Sequence, residues 1–211
     1  IENLKLSFLN LAESEKVDLD NCIHLKQVHS SKMLSILEAK NSLIEGDALC
    51  GNVEDLNKIN KKILIKSADC LPLFYFDYSN ENFVLMHAGW RGLSKGIHFV
   101  PFHGDLMCPE TTNVWLGPSL AKEDFQVKED MWAQFGSDAE DSFYFPKNYD
   151  ESRQFNAWGF VKKQLLDFGL NSFKDNNINT YVDLNFASWR RLQKEGHAKV
   201  IQPNYSIVEL V

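Results

Sequence analysis

Long apolar runs are missing from this chain of 211 residues. None approaches the ~20 residues a helix needs to cross a bilayer, so no membrane span is expected. Compact metal and redox signatures are missing too: there is no CxxC, no HExxH and no finger spacing. The four cysteines, Cys22, Cys50, Cys70 and Cys108, are scattered, which argues against a disulfide framework. Positive charge is scarce, with 22 Lys and Arg against 29 Asp and Glu and a formal net charge of −7. A general nucleic-acid binder neutralises phosphates with clustered Lys and Arg, so that class is set aside. The start, Ile1-Glu2-Asn3-Leu4-Lys5, has no basic segment followed by an apolar core, so no export signal is expected and the reducing cytoplasm is the expected compartment. It also lacks an initiator Met and reads as trimmed or incomplete. Repeats and low-complexity segments are absent.

What is present suits a soluble globular protein: 44% hydrophobic and 24% charged residues, in a length that fits one large domain. Leu4, Phe8, Leu11 and Ala12 recur at helical spacing, which predicts a helix over Ile1–Asp18. Strands are expected at Cys22–Val28, Met33–Glu38, Ile63–Ser67, Leu71–Phe76, Phe83–His87 and Asn113–Leu116, with a short one at Ser142–Pro146. Asn41–Asn52 and Asn57–Lys62 read as turn and connection. The turn residues of Asp77–Asn82 make Leu71–Phe76 and Phe83–His87 a hairpin. Helices are expected over Leu93–Met107, kinked at Pro101, over Phe125–Phe135 and over Arg153–Phe168. The fold class is therefore α/β (α+β), with a mixed β-sheet flanked by helices.

Three stretches carry the chemistry. Cys70 follows Ser67-Ala68-Asp69 between two apolar runs, and His87 ends a third run 17 residues on (87 − 70 = 17). His29 closes Leu25-Lys26-Gln27-Val28-His29. Two imidazoles and a thiol suit zinc, with a fourth position left for water or substrate. From spacing alone the other reading stays open, with Cys70 a small core residue and the histidines structural.

Arg91, in His87-Ala88-Gly89-Trp90-Arg91-Gly92, is a forked cation suited to phosphate or carboxylate; a surface salt bridge is the plainer role. Arg190 and Arg191, after Ser188-Trp189, form either a cationic subsite or a solvated patch. Asp69 is read as orienting a ligand or capping the following turn. Asp47, in Gly46-Asp47-Ala48, has the same two readings, the turn role preferred. His24, His98, His103 and His197 are read as structural or exposed, and Gly117-Pro118-Ser119 as a strand end or pocket wall.

Taken in order, QVH (27–29), GDAL (46–49), ADC (68–70), HAGWRG (87–92), LGPS (116–119) and FASWRR (186–191) resemble the signatures of the multicopper polyphenol oxidoreductase (laccase-like) family. Its members are also described as purine nucleoside phosphorylases, and some carry a peptidoglycan-editing name. The resemblance implies a single laccase-like domain over 1–211, lacking the family's N-terminal strand and its Arg-containing Gly-rich segment. It implies a metal held by His29, Cys70 and His87, zinc or copper. It implies phosphorolysis of purine nucleosides, including methylthioadenosine, and deamination of adenosine, with nucleoside and phosphate as partners. Arg91 is then the first candidate for a catalytic and substrate-binding cation, and Arg190 the second. Two other functions compete: a copper-dependent polyphenol oxidoreductase, and a zinc-stabilised binding module without catalysis. FASWRR stands where the family has FFSYRR, and no cysteine follows LGPS.

Overall fold

Alternation, not helical spacing, governs the first segment. In the computed structural model, which describes residues 4–41, 43–144, 152–196 and 202–211, Leu4–Leu9 is a strand (β1), and only Leu11–Ser14 (α1) is helical. This corrects the helix expected over Ile1–Asp18. Leu4, Leu6 and Phe8 also repeat every second residue, and pairing with a distant strand decides between the two periods.

The further strands are β2 (Cys22–His24), β3 (Met33–Ser35), β4 (Ala48–Asn52), β5 (Lys62–Ser67), β6 (Leu71–Asp77) and β7 (Asn82–Ala88). They continue with β8 (Thr112–Leu116), β9 (Gln126–Val127), β10 (Phe143–Tyr144), β11 (Arg153–Phe155), β12 (Ser172–Asp175) and β13 (Asn204–Leu210). The helices are α2 (Ile36–Ala39), α3 (Val53–Ile59), α4 (Trp90–Leu93), α5 (Glu129–Trp132), α6 (Ala157–Asp167) and α7 (Trp189–Lys194). Among the described residues three sheets form, ordered β1-β13-β5-β2, β12-β8-β6-β7-β4-β3 and β10-β11-β9. β2 on β5, β3 on β4 and β12 on β8 are parallel and the other pairs antiparallel, so the α/β class with mixed sheets holds.

β6 and β7 form the expected hairpin at the centre of the six-stranded sheet. All seven residues of β6 are buried, which explains its unbroken apolar run. Phe74 and Phe76 pack toward Ile63 and Ile65 of β5, and Leu73 and Tyr75 toward Phe160, Val161 and Leu165 of α6. The layers are thus four-stranded sheet, six-stranded sheet, then helix. Fully burying one side chain such as Phe74 contributes about 1.5–3 kcal/mol.

Other expectations shift at element ends. Met33–Glu38 stops being a strand at Ser35, whose hydroxyl accepts the Glu38 N–H while Glu38 accepts the Ser35 N–H, a reciprocal cap that starts α2. Cys22–Val28 is strand only to His24; Asn41–Asn52 contains β4; α3 occupies the start of the connection read at Asn57–Lys62. Phe125–Phe135 and Arg153–Phe168 each divide into a short strand and a helix, because Gln126–Val127 and Arg153–Phe155 pair with each other. Leu93–Met107 becomes the end of α4 and a 3₁₀ segment over Ile97–Asp105, whose break falls at His103 and Gly104 and not at Pro101. Residues 145 and 146 of the strand expected at Ser142–Pro146, and His197, lie outside the described residues. No helix among the described residues is long and apolar enough to cross a membrane.

His98 is buried, with Nε2 hydrogen-bonded to Gln164 Oε1 at 2.8 Å. Burial, only partly offset by that bond, lowers its pKa from 6.5 to about 4. The unfolded chain therefore binds this proton first. The His98 contribution is complete above pH ~6.5 and is lost as pH falls toward 4, up to about 3 kcal/mol in all. Urea midpoints of wild type and His98→Leu at pH 7 and 4.5 check this: wild type should show the steeper acid loss. Equal losses would exclude His98 as the source.

Candidate metal centre

The residues of the candidate metal site sit where the two large sheets meet. Cys70 lies in the turn at 68–70, where the chain passes from β5 of one sheet to β6 of the other. His87 is the penultimate residue of β7 and is buried; His29 follows β2 and is half-buried. His29 has φ of +58°, a left-handed conformation that needs support in a residue other than Gly.

Asp47 supplies the support. Its carboxylate, fully buried, accepts the backbone N–H groups of Val28 (3.3 Å), His29 (3.0 Å) and Ser30 (2.6 Å) and the Ser30 hydroxyl (2.7 Å). Such successive amides form a concave anion seat. The same carboxylate lies 2.9 Å from His87 Nδ1, and the Asp47 carbonyl accepts the His87 N–H at 2.7 Å. One side chain thus fixes the backbone of one histidine and the ring of the other. The preferred reading of Asp47 as a turn residue is corrected: its partners lie 17 to 40 residues away, beyond the reach of local pattern. With Nδ1 donating to Asp47, His87 keeps Nε2 for a metal.

The ligand atoms of His29, Cys70 and His87 all lie within 4.8 Å of one another, and Cys70 Sγ is 3.8 Å from His29 Nε2. Tetrahedral zinc with sulfur and imidazole ligands holds such atoms about 3.5 Å apart, so a small closure about an ion suffices. The backbone leaves the room: a Cβ on Gly89 would stand 2.7 Å from His29 Cδ2 and 3.3 Å from Cys70 Sγ. The group can hold a metal.

Charge is arranged for it. Burial raises the Cys70 thiol pKa, but the His87 charge and the His29 hydrogen bond outweigh it, and the net shift is downward. Burial lowers His87, and the Cys70 thiolate and Asp47 carboxylate more than reverse this. Asp47 is pushed up by burial, yet the His87 and Ser30 hydrogen bonds hold it at about 2. A metal held here would take Cys70 as thiolate and His87 as neutral imidazole, so its binding would release protons.

The trio opens on a cleft of about 750 Å³ whose walls include Arg91, Arg190, Lys66 and Lys128, with Trp90, Phe125 and Trp189. Arg91 lies on α4, exposed, its guanidinium 4.2 Å from the Trp90 ring centroid. Arg190 lines the cleft and donates one N–H to the Gln126 carbonyl at 2.9 Å. Arg191, half-buried, is engaged elsewhere, donating to the carbonyls of Thr180 and Tyr181 at 2.8 Å and of Phe186 at 2.5 Å. Adjacent in sequence, the two arginines have different work.

The Asp69 carboxylate accepts from the Thr180 hydroxyl and the Arg190 backbone N–H, so these two partners come from neither metal-site histidine and not from its own turn. Ser119 pairs through its backbone with Ile178 and Thr180, and of the stretch 117–120 it is Leu120, not Gly117-Pro118-Ser119, that lines the cleft. Asn204, at the start of β13, holds the backbone of Ala187 just before α7, accepting its N–H (2.7 Å) and donating to its carbonyl (3.0 Å). Sequence reading passed over Trp189 and Lys66. The one available signal was an aromatic residue beside the Arg pair.

The model of the multi-copper polyphenol oxidoreductase laccase family matches residues 2–202. The purine nucleoside phosphorylase of Haemophilus influenzae is 28% identical over 178 residues, 82% of this chain and 70% of that protein. Purine nucleoside phosphorylase YfiH of Escherichia coli is 25% identical over 180 residues, again 82% and 70%. Among solved structures, a Neisseria meningitidis protein superposes with a TM-score of 0.77 at 22% identity, covering 90% of this chain and 74% of its own. That likeness establishes the fold.

Proposed function

The chain belongs to the multi-copper polyphenol oxidoreductase laccase family, and we propose that it works as a zinc-dependent purine nucleoside phosphorylase. The observation that carries the proposal is the His29, Cys70, His87 group in a cleft that also presents forked cations, Arg91 and Arg190. The names of the Haemophilus and Escherichia relatives support it.

In phosphorolysis a phosphate oxygen bonds to C1′ of the ribose as the bond to the purine nitrogen breaks. The purine leaves with the electron pair and takes up a proton. Arg91 and Arg190 hold the phosphate by paired, charge-assisted hydrogen bonds and offset its charge. Trp90, Phe125 and Trp189 offer flat apolar faces to the base. Asp47 keeps His87 in one tautomer and His29 in its left-handed backbone. Zinc held by the trio would supply a Lewis acid and a water of lowered pKa, the chemistry that adenosine deamination requires. Methylthioadenosine cleavage uses the same displacement at C1′.

The family description favours copper chemistry as a second reading, and this ligand set accepts copper as well as zinc. Among the described residues one group of three ligands stands together, enough for one ion. Metal analysis of purified protein, followed by a nucleoside panel with and without phosphate read by chromatography, tests the proposal. Free base should form only with phosphate present. Oxygen uptake on a phenol would favour the laccase reading. Full metal with no turnover, and unfolding on chelation, would favour a zinc-stabilised binding module.

Arg91→Lys is expected to raise the phosphate requirement of nucleoside cleavage and to affect deamination less, because water needs no fork. The loss is on the order of 1.5–3 kcal/mol, roughly tenfold to a hundredfold in phosphorolysis. Equal losses in both reactions would make Arg91 a structural residue of α4.

A further inference from the structure

We propose that Asp69 is a positioning residue: its carboxylate fixes the start of α7, and with it Arg190, against the turn that carries Cys70. The inference rests on the reading above that Arg190 meets phosphate. Asp69 has φ of +87°, in the left-handed half of the map that Gly favours and that Asp and Asn visit more readily than other residues. From that backbone its carboxylate reaches away to residues more than a hundred positions later, while the next residue turns its sulfur to His29.

Three segments converge on Asp69. Its carbonyl accepts the Leu120 N–H at 2.9 Å. Its Oδ1 accepts the Thr180 hydroxyl at 2.7 Å, and its Oδ2 accepts the Arg190 N–H at 2.6 Å. The Arg191 guanidinium then ties the carbonyls of Thr180 and Tyr181 back onto α7, closing the loop on itself. The bond from Asp69 goes to the Arg190 backbone. The guanidinium is spent only on the Gln126 carbonyl among the described residues, so most of its five donors remain for a ligand. A strained backbone held by long-range partners beside a metal-site cysteine is where strain is found when geometry matters to function. Metal ligand and anion-binding cation are thereby one mechanical unit, joined through a side chain that touches neither ion.

Two variants separate this from a merely structural role. Asp69→Gly accepts the left-handed backbone and removes both acceptors. Asp69→Asn tolerates the backbone and can still accept the Arg190 N–H while donating to the Thr180 hydroxyl oxygen. In metal-loaded Asp69→Gly, amide hydrogen exchange over 189–194 should accelerate about tenfold or more, with bound metal unchanged. The phosphate KM should rise about tenfold while the nucleoside KM moves far less. Asp69→Asn should restore both. Unchanged exchange over 189–194 in Asp69→Gly would overturn the proposal, as would loss of metal with a parallel rise in both KM values, or failure of Asn to rescue. Should the wild-type protein cleave no nucleoside, the phosphorylase reading falls, and exchange with its rescue by Asn decides the role of Asp69 alone.

Discussion

Cys70→Ala is expected to yield a folded protein that has lost its metal. Cys70 is half-buried in the turn between β5 and β6 and is absent from the three apolar clusters, so no core packing goes with its sulfur. The two imidazoles left behind keep their support from Asp47. What disappears is the thiolate, the one anionic ligand of the trio and the one whose pKa its surroundings pull down. Metal affinity should fall roughly a hundredfold or more, since even partners that only support a ligand are worth tenfold to a hundredfold. Metal-dependent turnover should fall with it, while the far-UV spectrum and the metal-free unfolding midpoint stay close to wild type. One equivalent of metal with full turnover in the variant would reduce Cys70 to a packing residue.

Asp47→Ala should cause the largest loss of stability among single changes at the site. Five donors lose their acceptor at once: the N–H groups of Val28, His29 and Ser30, the Ser30 hydroxyl and His87 Nδ1. The segment 28–30 then loses the carboxylate that supports His29 at φ +58°, and a buried His87 keeps only Cys70 as a counter-charge. Removing one partner from a buried charged pair costs about 3–5 kcal/mol, far more than the pair adds over an apolar substitute. Without Asp47 the raised His87 pKa should drop, because the hydrogen bond and charge of that carboxylate are gone and only Cys70 still opposes the effect of burial. Asp47→Asn should lie between, keeping shape but losing charge. Urea unfolding of the three proteins in chelator measures the difference; a loss under about 1 kcal/mol would mean that water replaces the carboxylate at little cost.

The legible parts of this chain were those whose cause is local. The turn chemistry of Asp77–Asn82 gave away the β6–β7 hairpin, and the unbroken apolar runs of β5 and β6 marked strands buried on both faces. The approach of His29, Cys70 and His87 was visible as well, though through family resemblance more than spacing. What stayed hidden depends on distant partners. Leu4–Leu9 carries both a helical and an alternating pattern, and only pairing with β13, some two hundred residues away, selects the strand. β9 and β11 exist because they pair with each other across an intervening helix. Asp47 looked like a turn residue because Gly46 precedes it, while the amides and imidazole it serves come from other segments. Arg190 and Arg191 look alike as letters, and only the direction each takes from α7 separates a lock from a cleft residue.

The position of β13 has a consequence for how such a protein comes into being. This strand lies between β1 and β5, so the four-stranded sheet has a gap at its centre until the segment Asn204–Leu210 arrives. Asn204 pairs with Ser67 at the end of β5 and also grips Ala187 ahead of α7. A ribosome emits the histidines and the cysteine early and the strand that squares them up late. Nascent chains therefore pass through a stage with His29, Cys70 and His87 all present and the frame around them unfinished. The four-stranded sheet bordering the site closes only when Asn204–Leu210 pairs with β1 on one side and β5 on the other.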